Sequence, residues 1–232
     1  MYKAEFPTAA ALVDNSNFMG DSAAGAESDD CVTNFYYELI HLMNRIRLPM
    51  ATWATNSKHL KKVWRTKGVD FKEVTQTLAI DWDTELDTFS VDPRDVSDEY
   101  GEGPTTKRQV LQATARFYHP LGLLFPVSVV GKLLFHDTWC RGLTWEENLP
   151  SDFGALWNTW ISNLPHLAHL RVPRWVGIVD RSHSRVHVFC NASERAYEAA
   201  LYFRSCMVDN SVFHLARSQN RLAPLRRSLF LG

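Results

Sequence analysis

The sequence predicts an α+β fold, and three observations carry that prediction. A small-residue turn is followed by an amphipathic helix near the N-terminus, the middle of the chain repeats apolar residues at three- and four-residue spacings, and the last fifty residues change to strand-like runs. Ser16 to Ala26 is short and centred on Gly20-Asp21, as a turn between two strands would be. In residues 29–46, Val32, Phe35, Tyr36, Leu39, Ile40, Met43 and Ile46 form one apolar face. Ser28, Asp29 and Asp30 suit the start of that helix, Arg45 and Arg47 its end, and Pro49 stops it.

Leu48 to Trp53 reads as a strand, Ser57 as the cap of a short basic helix, and Val74 to Trp82 as a further strand. Asp83 to Thr105 is acidic and interrupted by Pro93, Gly101, Gly103 and Pro104, which fits a surface connection or hairpin better than a regular element. Beyond it Val110, Leu111, Thr114, Ala115 and Tyr118 make a helical stripe. A second helix carries Val127, Val130, Leu133 and Leu134 after Pro126. A third runs from Ser151 to Leu164 with Phe153, Leu156, Trp157, Trp160 and Ile161 at helical spacing, so its tryptophans read as core. Val186–Cys190, Ala199–Arg204 and Val212–Ala216 are the closing strands.

The 232 residues are 45% hydrophobic and 12% aromatic, which is a globular composition. With 25 basic against 26 acidic residues, any attraction to nucleic acid must come from a local patch. No run approaches the roughly 18 apolar residues of a membrane helix, and the N-terminus lacks a signal-peptide core, so an intracellular, non-secreted protein of the cytoplasm or nucleus is expected. Cys31, Cys140, Cys190 and Cys206 lie far apart, without the close pair of a thiolate metal site, and read as reduced thiols.

Several strings, read in order, resemble the Pol polyprotein of BEL/Pao long-terminal-repeat retrotransposons, in the part conventionally labelled a Pao retrotransposon peptidase domain. They are Thr106-Lys107-Arg108, Phe117-Tyr118-His119-Pro120-Leu121-Gly122-Leu123-Leu124-Phe125-Pro126-Val127, Leu143-Thr144-Trp145-Glu146, Val172-Pro173-Arg174 and Phe189-Cys190-Asn191-Ala192-Ser193-Glu194 with Ala196-Tyr197. The resemblance implies three regions: the end of a reverse transcriptase palm in 1–104, a helical thumb- or connection-like region in 105–184, and the start of an RNase H-like domain in 185–232. The chain is then expected to be a polyprotein fragment, with the rest of Pol and an RNA or DNA template-primer as its ancestral partners, and no membrane.

Both ancestral activities place divalent ions on clustered carboxylates. The resemblance sets Phe18-Met19-Gly20-Asp21 against the family's Tyr-Val-Asp-Asp, so Gly20 stands where a ligand belongs and Asp21 is a vestigial catalytic carboxylate; it also reads as an ordinary turn aspartate. The other palm ligand falls upstream of Met1 in this alignment. Asn191-Ala192-Ser193 matches Asp-Ala-Ser of the RNase H-like strand, placing a neutral amide where Mg²⁺ needs an anion. Catalysis is therefore expected to be lost, with Mg²⁺ an ancestral cofactor and none retained.

An aspartic peptidase is the less favoured reading, since Asp21-Ser22-Ala23-Ala24-Gly25 only approximates the required Asp-Ser/Thr-Gly turn. Lys58, Lys61, Lys62, Arg65 and Lys67, and separately Lys107 with Arg108, are candidate phosphate contacts or a solvated face. The pairs His183/His187 and His166/His169 have metal-like spacing but no third partner. The alternative to a decayed polymerase–RNase H fragment is a domesticated, non-enzymatic scaffold that binds nucleic acid or protein.

Overall fold

The computed structural model describes residues 4–18, 21–48, 50, 52–77, 80–101, 103, 105–117, 121–178, 184–206 and 211–224. They divide into two compact units: 1–75 with 83–86, and 76–82 with 87–232.

In the first unit α1 (Pro7–Ser16) has no acidic residue in its own first turn. Glu38 of α2 (Asp29–Arg45) supplies the missing charge, accepting from the amides of Thr8 and Ala9 at 3.1 Å each. Ala9, Leu39, Leu42 and Met43 pack between the two helices. A two-residue hairpin joins them, β1 (Asn17–Phe18) and β2 (Asp21–Ser22), with Phe18 opposite Asp21. The Ser28 hydroxyl caps α2 through Cys31 N at 3.2 Å, and Ser57 caps α3 (Lys58–Lys67) through Leu60 N at 3.0 Å. Ser57 Oγ also donates to Asp29 Oδ1 at 2.5 Å, tying the two helix starts together.

The expected strand over Leu48–Trp53 does not form among the described residues. Trp53 is drawn instead into an aromatic cluster, 5.1 Å from Tyr36 and 5.8 Å from Trp64 between ring centroids. Burial of that ring outweighs the local strand propensity.

Val74–Trp82 is two strands rather than one: β3 (Val74–Thr77) and β4 (Ile80–Asp83). With β5 (Thr88–Ser90) and β6 (Val172–Pro173) they form a sheet in the order β3-β4-β5-β6. Residues 83–105, expected to lack regular elements, hold β5 and α4 (Arg94–Tyr100). The physical reason is the four-residue spacing of Val96 and Tyr100, which buries both, with Asp92 engaging the backbone and guanidinium of Arg94 at the helix start.

The main core of the second unit joins α4 to α5 (Lys107–Arg116), α6 (Phe125–Cys140), α7 (Ser151–Asn163) and a 3₁₀ turn at Leu164–His169. Thr106 and Gln109 form a reciprocal capping box on α5. Trp157 and Trp160 are buried as the periodicity predicts, whereas Leu111, Val130 and Leu156 of the expected stripes face solvent. The buried α6 face is Ser128, Gly131, Leu134 and Thr138. Gly131 is required there, because a Cβ at that position would lie 2.8 Å from the Trp160 ring. Trp160 Nε1 donates to Val127 O at 3.0 Å across the same contact.

Candidate functional site

The C-terminal strands are longer than their apolar runs suggest: β7 (Ser184–Ala192), β8 (Ala196–Cys206) and β9 (Ser211–Leu222). They make an antiparallel three-stranded sheet in that order. Asn191 lies opposite Glu198, and Glu198 opposite Asn220. Directly paired residues share a sheet face, so these three side chains form one row.

Helix α6 closes one end of the row. Asn220 is buried; its Nδ2 donates to Phe125 O at 3.1 Å and Ser128 Oγ at 3.4 Å, and its Oδ1 accepts from Lys132 Nζ at 2.6 Å. Burial pushes the Lys132 ammonium below the ordinary lysine range. The helix is held against β9 by a backbone approach: Ser218 N donates to Leu121 O at 2.9 Å and Ser218 Oγ donates to Gly122 O. Gly122 has φ +70°, and a Cβ there would sit 1.8 Å from Ser218 O, so only glycine fits.

The row therefore carries amide, carboxylate and amide, with an ammonium on the last amide. Magnesium keeps several waters and is commonly held by one or two carboxylates with phosphate oxygens. The row supplies one carboxylate, Glu198, between two neutral amides, which is fewer anionic groups than the clustered carboxylates of a two-metal site.

Further along the same face the register places Arg185 opposite Arg204, His187 opposite Tyr202, and Phe189 opposite Ala200, with Phe213 opposite Arg204 on β9. His187 lies 5.6 Å from Phe213 and 6.5 Å from Phe189, and Phe189 lies 5.8 Å from Tyr202. The Arg204 guanidinium sits 5.8 Å from the Phe213 ring centre. Phe189 and Phe213 remain 59% and 51% exposed. The opposite face of β7 shows Val186 and Val188, also exposed.

The basic residues singled out in the sequence separate sharply. Lys58 and Lys62 are exposed on α3, and Arg65, also exposed, reaches Glu73 at 3.5 Å. Lys61 is 1% exposed and pairs with Glu85 Oε1 at 2.5 Å, holding that carboxyl below its usual range first through the hydrogen bond and then through charge. Lys107 is 2% exposed; its Nζ donates to Leu143 O at 2.8 Å and lies 3.4 Å from the Trp139 ring centre and 5.2 Å from that of Trp145. Arg108 stays at the surface on Glu146 at 2.6 Å.

Asp21 is in β2 by its backbone; its side chain and all of Gly20 lie outside the described residues. His183 is likewise outside them, and His166 and His169 are exposed on the 3₁₀ turn. Asn191 stands exposed on β7. Sequence reading missed Lys132 and Asn220, whose pairing depends on an 88-residue separation that no local pattern encodes.

The Pao retrotransposon-like RNaseH-like domain matches residues 106–230, which is more than half of the chain. This chain belongs to that family. No curated protein matches it. The matched span begins at Thr106, the α5 cap, and takes in α6, α7 and the three-stranded sheet. The structure gives the family strings physical roles: Lys107 is an internal cation, Gly122 permits the α6–β9 approach, and Asn191 opens the polar row. The Asp21–Gly25 string lies outside the match. Among the described residues no helix is long and apolar enough to cross a membrane.

Proposed function

We propose that this chain is a portion of a Pao-type Pol polyprotein whose RNase H-like domain has lost hydrolysis and keeps contact with nucleic acid. The observation that carries the reading is the row Asn191, Glu198 and Asn220 with Lys132 bonded at its end. It holds a polar surface at the place the family resemblance assigns to metal-dependent cleavage, without the charge that two-metal chemistry needs. Asp21 in the β1–β2 hairpin is, on this reading, a vestige of the polymerase palm, and Mg²⁺ belongs to the ancestral enzyme only.

The contact surface is the open end of the same face. Phe189, Tyr202 and Phe213 offer rings for base stacking, and Arg185 and Arg204 offer cations for phosphates. The experiment has two arms on the full chain. RNA:DNA hybrid cleavage with Mg²⁺ or Mn²⁺ is expected to be absent, and Asn191→Asp alone to leave it absent because Lys132 still occupies the row. Binding of labelled single-stranded DNA, RNA and hybrid at low salt is expected to weaken by about 1–3 kcal/mol in Phe189→Ala. Turnover by the wild-type chain overturns the first half; binding unchanged in Phe189→Ala with Phe213→Ala overturns the second.

A protein-binding scaffold is the second reading. It is favoured by Val186 and Val188, 57% and 58% exposed on edge strand β7. Loss of self-association or partner binding in Val188→Lys, with nucleic-acid binding retained, would select it.

A further inference from the structure

The last turn of α6 brings together His136, Asp137 and Cys140, three side chains that the row on the sheet does not use. Their ligand atoms all lie within 4.8 Å of one another. His136 and Cys140 are four residues apart, so one helical turn stacks them on the same face. His136 Nδ1 is 3.6 Å from Cys140 Sγ and 3.6 Å from Asp137 Oδ1. From these distances and this donor set we propose that His136, Asp137 and Cys140 form a binding site for a zinc-like transition-metal ion.

Two of the three separations lie close to those around one ion, and the third, sulfur to carboxylate, is within 4.8 Å. With bonds of about 2.3 Å to sulfur and about 2.05 Å to nitrogen and oxygen, tetrahedral geometry separates sulfur from nitrogen by about 3.6 Å and nitrogen from oxygen by about 3.3 Å. The observed separations match the first and exceed the second by a few tenths of an ångström, a side-chain adjustment. Thiolate and imidazole select a borderline-soft ion over Mg²⁺ or Ca²⁺. Three protein ligands leave a fourth position for solvent, as in an open zinc site.

One surrounding feature orients a ligand and another favours a cation. Arg195, in the turn after β7, donates to Asp137 Oδ2, which orients the carboxylate with Oδ1 nearer the imidazole, while its own charge lowers the affinity for an ion. The site also occupies the C-terminal turn of α6, where the helix carbonyls favour positive charge. Cys140 is exposed, which gives the ion a route in, while His136 and Asp137 are half-buried and held. The remaining ring nitrogen, Nε2, is buried with no hydrogen-bond partner among the described residues. Metal on Nδ1 would leave the ring proton on that nitrogen without an acceptor, so the affinity expected is micromolar rather than that of a closed structural site.

Cobalt is the probe, added to the reduced full chain. A thiolate-to-cobalt charge-transfer band with tetrahedral d–d absorption is expected, saturating at about one equivalent per chain and displaced by zinc. Cys140→Ser should abolish the charge-transfer band, and His136→Ala should weaken binding at least tenfold. Cys31→Ser, far along the chain, should change neither. Zinc should raise the melting temperature of the wild type and not of Cys140→Ser, whose fold is checked by circular dichroism. A band that survives Cys140→Ser, or no cobalt absorption in the wild type at millimolar metal, overturns the site.

Discussion

Lys61 in the first unit and Lys107 in the second are buried to the same degree, at 1% and 2% exposure, yet they are satisfied by different chemistry. Lys61 meets the Glu85 carboxylate, which itself stays partly in solvent. Lys107 meets a neutral carbonyl and the faces of two tryptophans, and among the described residues no carboxylate pairs with it. A desolvated ammonium must recover its lost hydration either from an opposite charge or from oriented dipoles and ring quadrupoles. The first solution titrates with acid and the second does not.

The largest effect is expected at Lys107. Lys107→Ala removes a packed four-carbon stem and the contact with Trp139, and should destabilise the chain by about 2–4 kcal/mol in denaturant unfolding. Lys107→Met keeps most of the stem and should cost clearly less. Equal losses in the two variants would mean that the ammonium, not the stem, supplies the stability.

The acid limb separates the two lysines next. The carboxyl of Glu85 is held below its unfolded value of 4.5. A depressed carboxylate contributes stability that is fully present above pH 4.5 and is lost as pH falls through the lower, folded value. Lys61→Met should flatten that part of the melting-temperature profile, and Lys107→Met should leave its slope unchanged. The comparison breaks if Lys107→Met flattens it as well.

Lys132 extends the test to the alkaline side, with a smaller effect. Its ammonium is depressed below 10.5 by burial, so the unfolded chain binds its proton more tightly than the folded one. This group therefore penalises folding at neutral pH, and the penalty is relieved as pH rises from the folded value towards 10.5. Relative to the wild type, Lys132→Met should gain most at neutral pH and lose that advantage near pH 10.5. A pH-independent difference would show that the bond to Asn220, rather than desolvation, decides its contribution.

What the sequence made legible were features written locally. Ser57 four residues before Lys61 read as a cap and is one, the α2 stripe contains the buried Tyr36, Leu39 and Met43, and Trp157 and Trp160 are core. What it concealed depends on distant partners. Helix α1 has no acidic residue in its first turn and is completed by Glu38 of α2; Trp53 leaves a strand-like run for rings of α2 and α3; Asn220 acquires its meaning from Lys132. At the candidate site, Asn191 was identifiable from a three-residue string, but its row required register. The basic run at 58–67 was misleading in one respect: helical period turns Lys61 inward while Lys58 and Lys62, four apart, remain on the surface.

That last distinction gives the smallest expected effect and the sharpest use of the comparison. If α3 touches a nucleic-acid backbone, Lys58→Ala and Lys62→Ala should each reduce the slope of log affinity against log salt by about 0.7–0.9, the counterions released at one phosphate. Both should leave stability within about 0.5 kcal/mol of the wild type, since neither side chain is buried. Lys61→Met should do the reverse, altering the acid limb while leaving the salt slope intact, because its ammonium is already committed to Glu85. A salt slope that responds to Lys61→Met but not to Lys58→Ala or Lys62→Ala would require the Lys61–Glu85 pair to open on binding, and would place the phosphate contact inside the fold rather than on its face.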